Sequence, residues 1–195
     1  MLLLPVLLSA LLLQSADTLP EDAPPGLSAG PMVGAVESGQ VRIWCRAVEA
    51  NQTIEATLID AEGAELTKVG AKSTAERDLT VELVLKAQLK PGHRYRYRVL
   101  VEGVPVADGA DQIIVGPAQP NGRSTLIFGS CANPSRYGEG QIWQQIGQRE
   151  PDALVLLGDT PYIDTTDLIL QRAAYLKFWQ HPFVAALIRR IPVLA

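Results

Sequence analysis

The hydrophobic pattern of this chain changes period once, near Pro120-Asn121-Gly122, and that change limits the fold more than any single residue does. Between Gly30 and Pro117 apolar residues alternate with polar ones in short runs: Gln40 to Ala47, Ile54 to Asp60, Leu79 to Leu85 and Tyr95 to Val101. These runs are rich in β-branched and aromatic residues and are separated by turn formers, which predicts an antiparallel β-sandwich. Past Gly122 the apolar runs become continuous, at Ser124 to Gly129 and Ala153 to Leu157, as for strands buried on both faces. Between them Ile142, Trp143 and Ile146 recur at helical spacing, and Pro151 stops that helix. This is a β-α-β unit, so its two strands are expected to be parallel neighbours joined by a right-handed crossover.

Composition narrows the function classes. Hydrophobic residues make up 47 % of the 195 residues and charged residues 19 %, which excludes a disordered or heptad-repeat chain. A net charge of −4 argues against a nucleic-acid partner, whose phosphates require a surplus of Lys and Arg. Met1 to Leu13 is apolar except for Ser9 and has the size of a signal-peptide core rather than of a membrane span. The expected organisation is a signal peptide over residues 1–16 and a Pro- and Gly-rich linker over 17–29. A sandwich over 30–117 and an α/β unit over 122–195 follow. An extracytoplasmic location and no transmembrane segment are expected from this, and the oligomeric state is left open.

The two cysteines, Cys45 and Cys131, fall in different units, which argues against a disulfide because bridging needs Cα atoms within about 7 Å. Cys45 alternates with Val41 and Ile43 on one strand face and reads as a small buried hydrophobe. Of the two histidines, His93 reads as a solvated turn residue, and so does His181 between two helices. Arg94, Arg96 and Arg98 alternate along one strand and read as a solvated sheet face. The turn and strand from Leu89-Lys90-Pro91-Gly92 into Tyr95 resemble the corner of fibronectin type III-like domains, whose Tyr hydrogen-bonds back to the turn.

Groups that do chemistry collect beyond the carboxyl ends of parallel strands. Here one strand runs into Gly129-Ser130-Cys131-Ala132-Asn133 and the other into Gly158-Asp159-Thr160-Pro161-Tyr162-Ile163-Asp164. Neighbouring strands lie about 4.8 Å apart, so a thiol and a carboxylate at these two ends are close enough to share one ion. Glycines beside them allow a tight turn and close approach of a ligand. Blander roles stay open at this point: Cys131 as a small strand-end residue, and Asp159 as a cap of the following turn.

In these motifs the chain resembles the PhoD-like (alkaline phosphatase D) metallophosphatases. The resemblance covers almost the whole chain after the apolar start, through FGSCANPS, PDALVLLGDTPYID and the Arg172 to Tyr175 helix leading to Pro192. It implies a fibronectin III- or immunoglobulin-like sandwich followed by a calcineurin-like α/β metallophosphatase domain. It further implies a dinuclear site, iron with calcium, in which Cys131 ligates the first metal and Asp159 bridges both. Asn133, Tyr162 and Asp164 match the motifs as residues lining the site. The chain differs from the family pattern at Thr160 and Gln171. The activity implied is hydrolysis of phosphate mono- or diesters, with a phosphoester as the partner molecule.

A dinuclear hydrolase needs further His and Asn ligands, which in the family lie beyond the strand corresponding to Ile191 to Ala195. The expectation is therefore an amino-terminal fragment that is inactive alone. Two alternatives are a GDSL-like esterase built on Gly158-Asp159-Thr160, and a non-enzymatic cell-surface adhesive module built on the sandwich.

Overall fold

The computed structural model describes residues 26–106, 111–119, 121–132 and 140–194. The expected signal peptide and residues 17–25 of the expected linker lie outside them, as does Asn133. The sandwich strands are β1 Leu27–Glu37, β2 Gln40–Ala47, β3 Thr53–Ile59, β4 Glu65–Lys72, β5 Thr80–Lys86, β6 Arg94–Val101, β7 Val104–Pro105 and β8 Gln112–Val115. They form two antiparallel sheets. One has the order β1-β2-β5; the other has the order β4-β3-β6, with β7 and β8 both pairing along the far side of β6.

Period-two patterning builds the core between the sheets. Val41, Ile43, Cys45 and Ala47 of β2 point inward and are fully buried, while Arg42, Trp44 and Arg46 alternate outward. They meet Ile54, Ala56 and Leu58 of β3 and Tyr97 and Val99 of β6 in one apolar cluster, which is how two amphipathic sheets exclude water. Tyr95 closes the corner: its hydroxyl accepts a hydrogen bond from the Lys90 amide at 2.8 Å. The outward Arg96 and Arg98 both pair with Asp111, with Arg98 donating at 2.7 Å.

The first strand starts at Leu27, inside the stretch expected to be linker. Leu27, Ser28 and Ala29 are buried, and β1 continues through Gly30-Pro31 with breaks in its register against β2. Gly30 has φ +89, and a Cβ there would stand 2.8 Å from the Trp44 carbonyl oxygen. Gly30, which follows the Pro- and Gly-rich stretch in sequence, thus belongs with Pro31 to the bulged part of an edge strand.

The second unit has β9 Leu126–Gly129, α1 Gln141–Gln148, β10 Ala153–Leu156, α2 Leu168–Gln180, α3 Pro182–Ile188 and β11 Val193–Leu194. Its sheet has the order β11-β10-β9 and is parallel throughout. Leu154 and Leu156 pack on one side against Trp143, Ile146, Phe178 and Leu187 of the helices. The other side differs from the expectation of burial on both faces: Leu126 is 61 % and Phe128 71 % exposed, because no element among the described residues covers it. His181 also departs from expectation. It is half-buried, and its ring fills the space beside Gly140, where a Cβ would stand 2.2 Å from Cε1.

The two units share an interface at the sandwich edge, where α2 and α3 lie against β1. The buried Tyr97 donates its hydroxyl to the Arg189 carbonyl at 2.7 Å, and Gln180 at the end of α2 donates to the Ser28 carbonyl. Covering an edge strand with helices also removes its tendency to pair with other chains.

Tyr97→Phe deletes this cross-unit bond while keeping the ring, and is expected to cost about 1 kcal/mol in denaturant unfolding. A second prediction concerns alkaline pH. Burial pushes the Cys45 thiol from its ordinary value of 9.0 up to about 12. The protonated thiol is the form the fold accepts, so its contribution is intact below about pH 9 and lost as pH rises toward 12. Across that window the unfolded chain releases a proton that the folded chain retains, and stability falls by about 1.4 kcal/mol per pH unit for this group. In Cys45→Ala the alkaline slope of unfolding free energy should be shallower by one proton.

Candidate functional site

The site forms where two strands stop. Gly129 of β9 pairs with Leu156 of β10, and the ladder continues past both strand ends. The Leu157 amide donates to the Gly129 carbonyl at 2.8 Å, and the Cys131 amide donates to the Gly158 carbonyl at 3.2 Å. These bonds hold the two post-strand segments side by side, so that Cys131 Sγ lies 3.6 Å from Asp159 Oδ2. Both side chains are exposed.

The backbone at both residues is left-handed, with φ 60 at Cys131 and φ 50 at Asp159. Non-glycine residues adopt this conformation at a cost of about 1–2 kcal/mol, more readily for Asp than for Cys. Gly158, between strand and carboxylate, has φ +118 with open space where a Cβ would project. The chain therefore turns sharply at each strand end and presents both side chains to the same space.

Tyr162 joins them. A hydrogen bond with Cys131, aided by desolvation and by the neighbouring charges of Cys131 and Asp159, pushes its phenol up to about 12. A phenol, a thiol and a carboxylate thus converge, and a cation among them would favour their ionised forms. Sequence reasoning placed Tyr162 only as a lining residue; its position three residues after Asp159 was the available signal, but which way the turn aims the ring is a tertiary matter.

The spacing suits a shared ion. A thiolate about 2.3 Å and a carboxylate oxygen about 2.1 Å from one metal ion stand roughly 3.1–3.6 Å apart at angles of 90–110°. Cys131 and Asp159 fit that span, with a thiolate as the soft partner that favours a transition metal. Among the described residues no cluster of three or more His, Cys, Asp or Glu forms, so donors for a second ion are not gathered there. Asp164 is exposed and lines a cavity of about 740 Å³ that also includes Asp159, Tyr162, Gln171 and Tyr175. Cys131 faces a neighbouring cavity of about 360 Å³ with Ser130, Phe128 and Thr160 on its wall.

The segment carrying Asp159 and Tyr162 is fixed at its far end by helix α2. Asp167 caps that helix, its carboxylate accepting from the Ile169 amide at 2.8 Å and the Leu170 amide at 3.2 Å. Gln171 reaches back and donates to the Thr165 carbonyl at 2.8 Å. Thr160 Oγ1 donates to the Gly158 carbonyl at 3.2 Å, which engages the only hydroxyl of the Gly-Asp-Thr sequence. His93 lies away from this site, its Nδ1 3.2 Å from the Pro91 carbonyl oxygen. Both cysteines are free thiols, Cys45 in the sandwich core and Cys131 at the surface.

No family model matches the sequence, and no curated protein matches it. Among solved structures, two partial likenesses have TM-scores too low to bear on the fold. One is the sensor domain of the anti-sigma factor RsgI4 of Pseudobacteroides cellulosolvens, at 14 % identity and TM-score 0.33, covering 46 % of this chain and 73 % of that one. The other is the fn3 domain of the human collagen alpha-1(XX) chain, at 14 % identity and TM-score 0.30, covering 49 % and 88 %. A structure of PhoD is similar over 89 % of this chain with a TM-score of 0.69 and 15 % identity. This chain spans 38 % of that structure's length, and the overlap is long enough to include both the sandwich and the parallel-sheet unit: the likeness is one of fold.

Proposed function

We propose that this chain carries metal-centre residues of an exported phosphoesterase, with Cys131 and Asp159 as donors to a transition-metal ion and Tyr162 beside them. The observation that carries the reading is the 3.6 Å approach of Cys131 Sγ to Asp159 Oδ2 at the ends of adjacent parallel strands. The fold likeness to PhoD supports it. On this reading the sandwich is fibronectin III-like, as the bond from the Lys90 amide to Tyr95 suggests, and the parallel unit belongs to a metallophosphatase domain. The apolar stretch from Met1 to Leu13 supports export.

Each residue has a distinct part. Ionised Cys131 supplies the soft donor that distinguishes a transition metal, iron in this proposal, from a hard cation. Asp159 supplies a carboxylate with two oxygens, one of which can serve a second ion such as calcium, which takes oxygen donors. Tyr162 adds a phenol oxygen that orients Cys131 and Asp159. Asp164 stands in the wall of the 740 Å³ cavity, where a phosphoester would enter. Bound there, such ions supply Lewis acidity toward phosphoryl oxygens and activate water for in-line attack. The esterase alternative is not favoured, because the Thr160 hydroxyl is directed back to the Gly158 carbonyl.

Titration with Co²⁺ tests the centre directly, through its thiolate-to-cobalt absorption. Cys131→Ser should abolish the band and Asp159→Asn should weaken binding at least tenfold; a band that survives Cys131→Ser overturns the assignment. A second prediction concerns turnover. Phosphoester hydrolysis by the whole protein should stop on chelation and fall more than tenfold in Asp159→Asn, and retention of over about a tenth of the activity sinks the bridging role.

A further inference from the structure

One chain of polar contacts leads from the sandwich to the site. Asp78 follows the short 3-10 turn Ala75–Arg77 and has a left-handed backbone, φ 52. Its two oxygens serve different units: Oδ1 accepts from Arg46 Nη2 of β2 at 3.2 Å, and Oδ2 forms an ion pair with Arg172 of α2, 3.1 Å from its Nε. Arg46 is largely buried and also donates to Ser28 Oγ at 2.8 Å. Ser28 donates that hydroxyl to the Ala47 carbonyl at 2.8 Å, and its own carbonyl accepts from Gln180 at the opposite end of α2. Helix α2 is therefore tied at both ends to one corner of the sandwich.

The same helix grips the site segment. Gln171, the neighbour of Arg172, holds the Thr165 carbonyl, and Asp167 caps the first turn. Between Thr165 and the end of β10 lie Asp159 and Tyr162. Nothing else from the sandwich reaches this end of the helix by a hydrogen bond or ion pair among the described residues.

We propose that Asp78 is a positioning residue: through Arg172 it couples the sandwich to α2 and so fixes the segment that presents Asp159 and Tyr162 to Cys131. The inference rests on the metal-centre reading for its consequence, though not for its geometry. The sandwich then has a part in the site although none of its side chains lines it. The Asp78–Arg172 pair is half exposed, and a pair of that kind supplies about a two- to fivefold shift in an equilibrium.

Asp78→Asn is the variant of choice, because Asn tolerates the left-handed backbone and can still accept from Arg46. Amide hydrogen exchange at Asp167, Ile169, Leu170 and Gln171 should accelerate about two- to fivefold, with β2 and β5 unchanged. Arg172→Ala should do the same, the double variant should be no worse than either single one, and Arg172→Lys should restore most of the protection. The Co²⁺ affinity should fall by the same factor in Asp78→Asn, with a shifted thiolate-to-cobalt band. Unchanged exchange in the first turn of α2 overturns the proposal. Acceleration shared equally by β2 and β5, or effects that multiply in the double variant, overturns it as well. If the unaltered protein binds no Co²⁺, the metal-centre reading fails, while the exchange measurements still decide whether Asp78 positions the segment.

Discussion

The parallel pairing of β9 with β10 is the constraint on which the site depends. Its register sets Gly129 opposite Leu156, and two further hydrogen bonds carry the ladder beyond the strands to Cys131 and Gly158. A slip of one residue would turn Leu154 and Leu156 away from the helices and carry Cys131 away from Asp159. The apolar packing of β10 on α1 and α3 therefore enforces the chemistry of the strand ends: the same register that buries two leucines brings a thiol and a carboxylate to 3.6 Å.

The site is also a place of stored backbone cost. Cys131 and Asp159 both take left-handed φ, and an exposed thiol, carboxylate and phenol are held close together. Such an arrangement persists only where surrounding structure over-determines it. The ladder bonds do so on one side and the cap of α2 on the other. In turn α2 and α3 pack on the sandwich edge, with Tyr97 and Gln180 supplying hydrogen bonds across the boundary. The sandwich and the parallel unit are thus mechanically connected.

Much of this was legible in the residues. The alternation in Gln40 to Ala47 matches β2 residue for residue, because a half-buried strand has to repeat with period two. The β-α-β unit and its parallel sheet were legible for the complementary reason, continuous apolar runs flanking an amphipathic helix. Other elements were not. The start of β1, Leu27 to Ala29, was hidden in a Pro- and Gly-rich stretch that reads as a linker, and its strand character comes from pairing with β2. β4 was missed since its residues are largely exposed, and an edge strand in contact with solvent carries little hydrophobic pattern. Leu126 and Phe128 read as doubly buried from composition alone, whereas burial depends on what lies opposite them.

By itself the sequence determined the order of units, the strands with a buried face and the candidates Cys131 and Asp159. Each follows from local chemistry: periodicity, turn residues, and reactive groups placed just after strands. Only the tertiary structure decided that Tyr162 turns onto the Cys131–Asp159 pair and that Asp78 reaches Arg172 across the unit boundary. It also decided that His181 is tucked against Gly140. These depend on the direction of a turn and the docking of a helix on a sheet edge, which are settled by contacts between residues far apart in the chain.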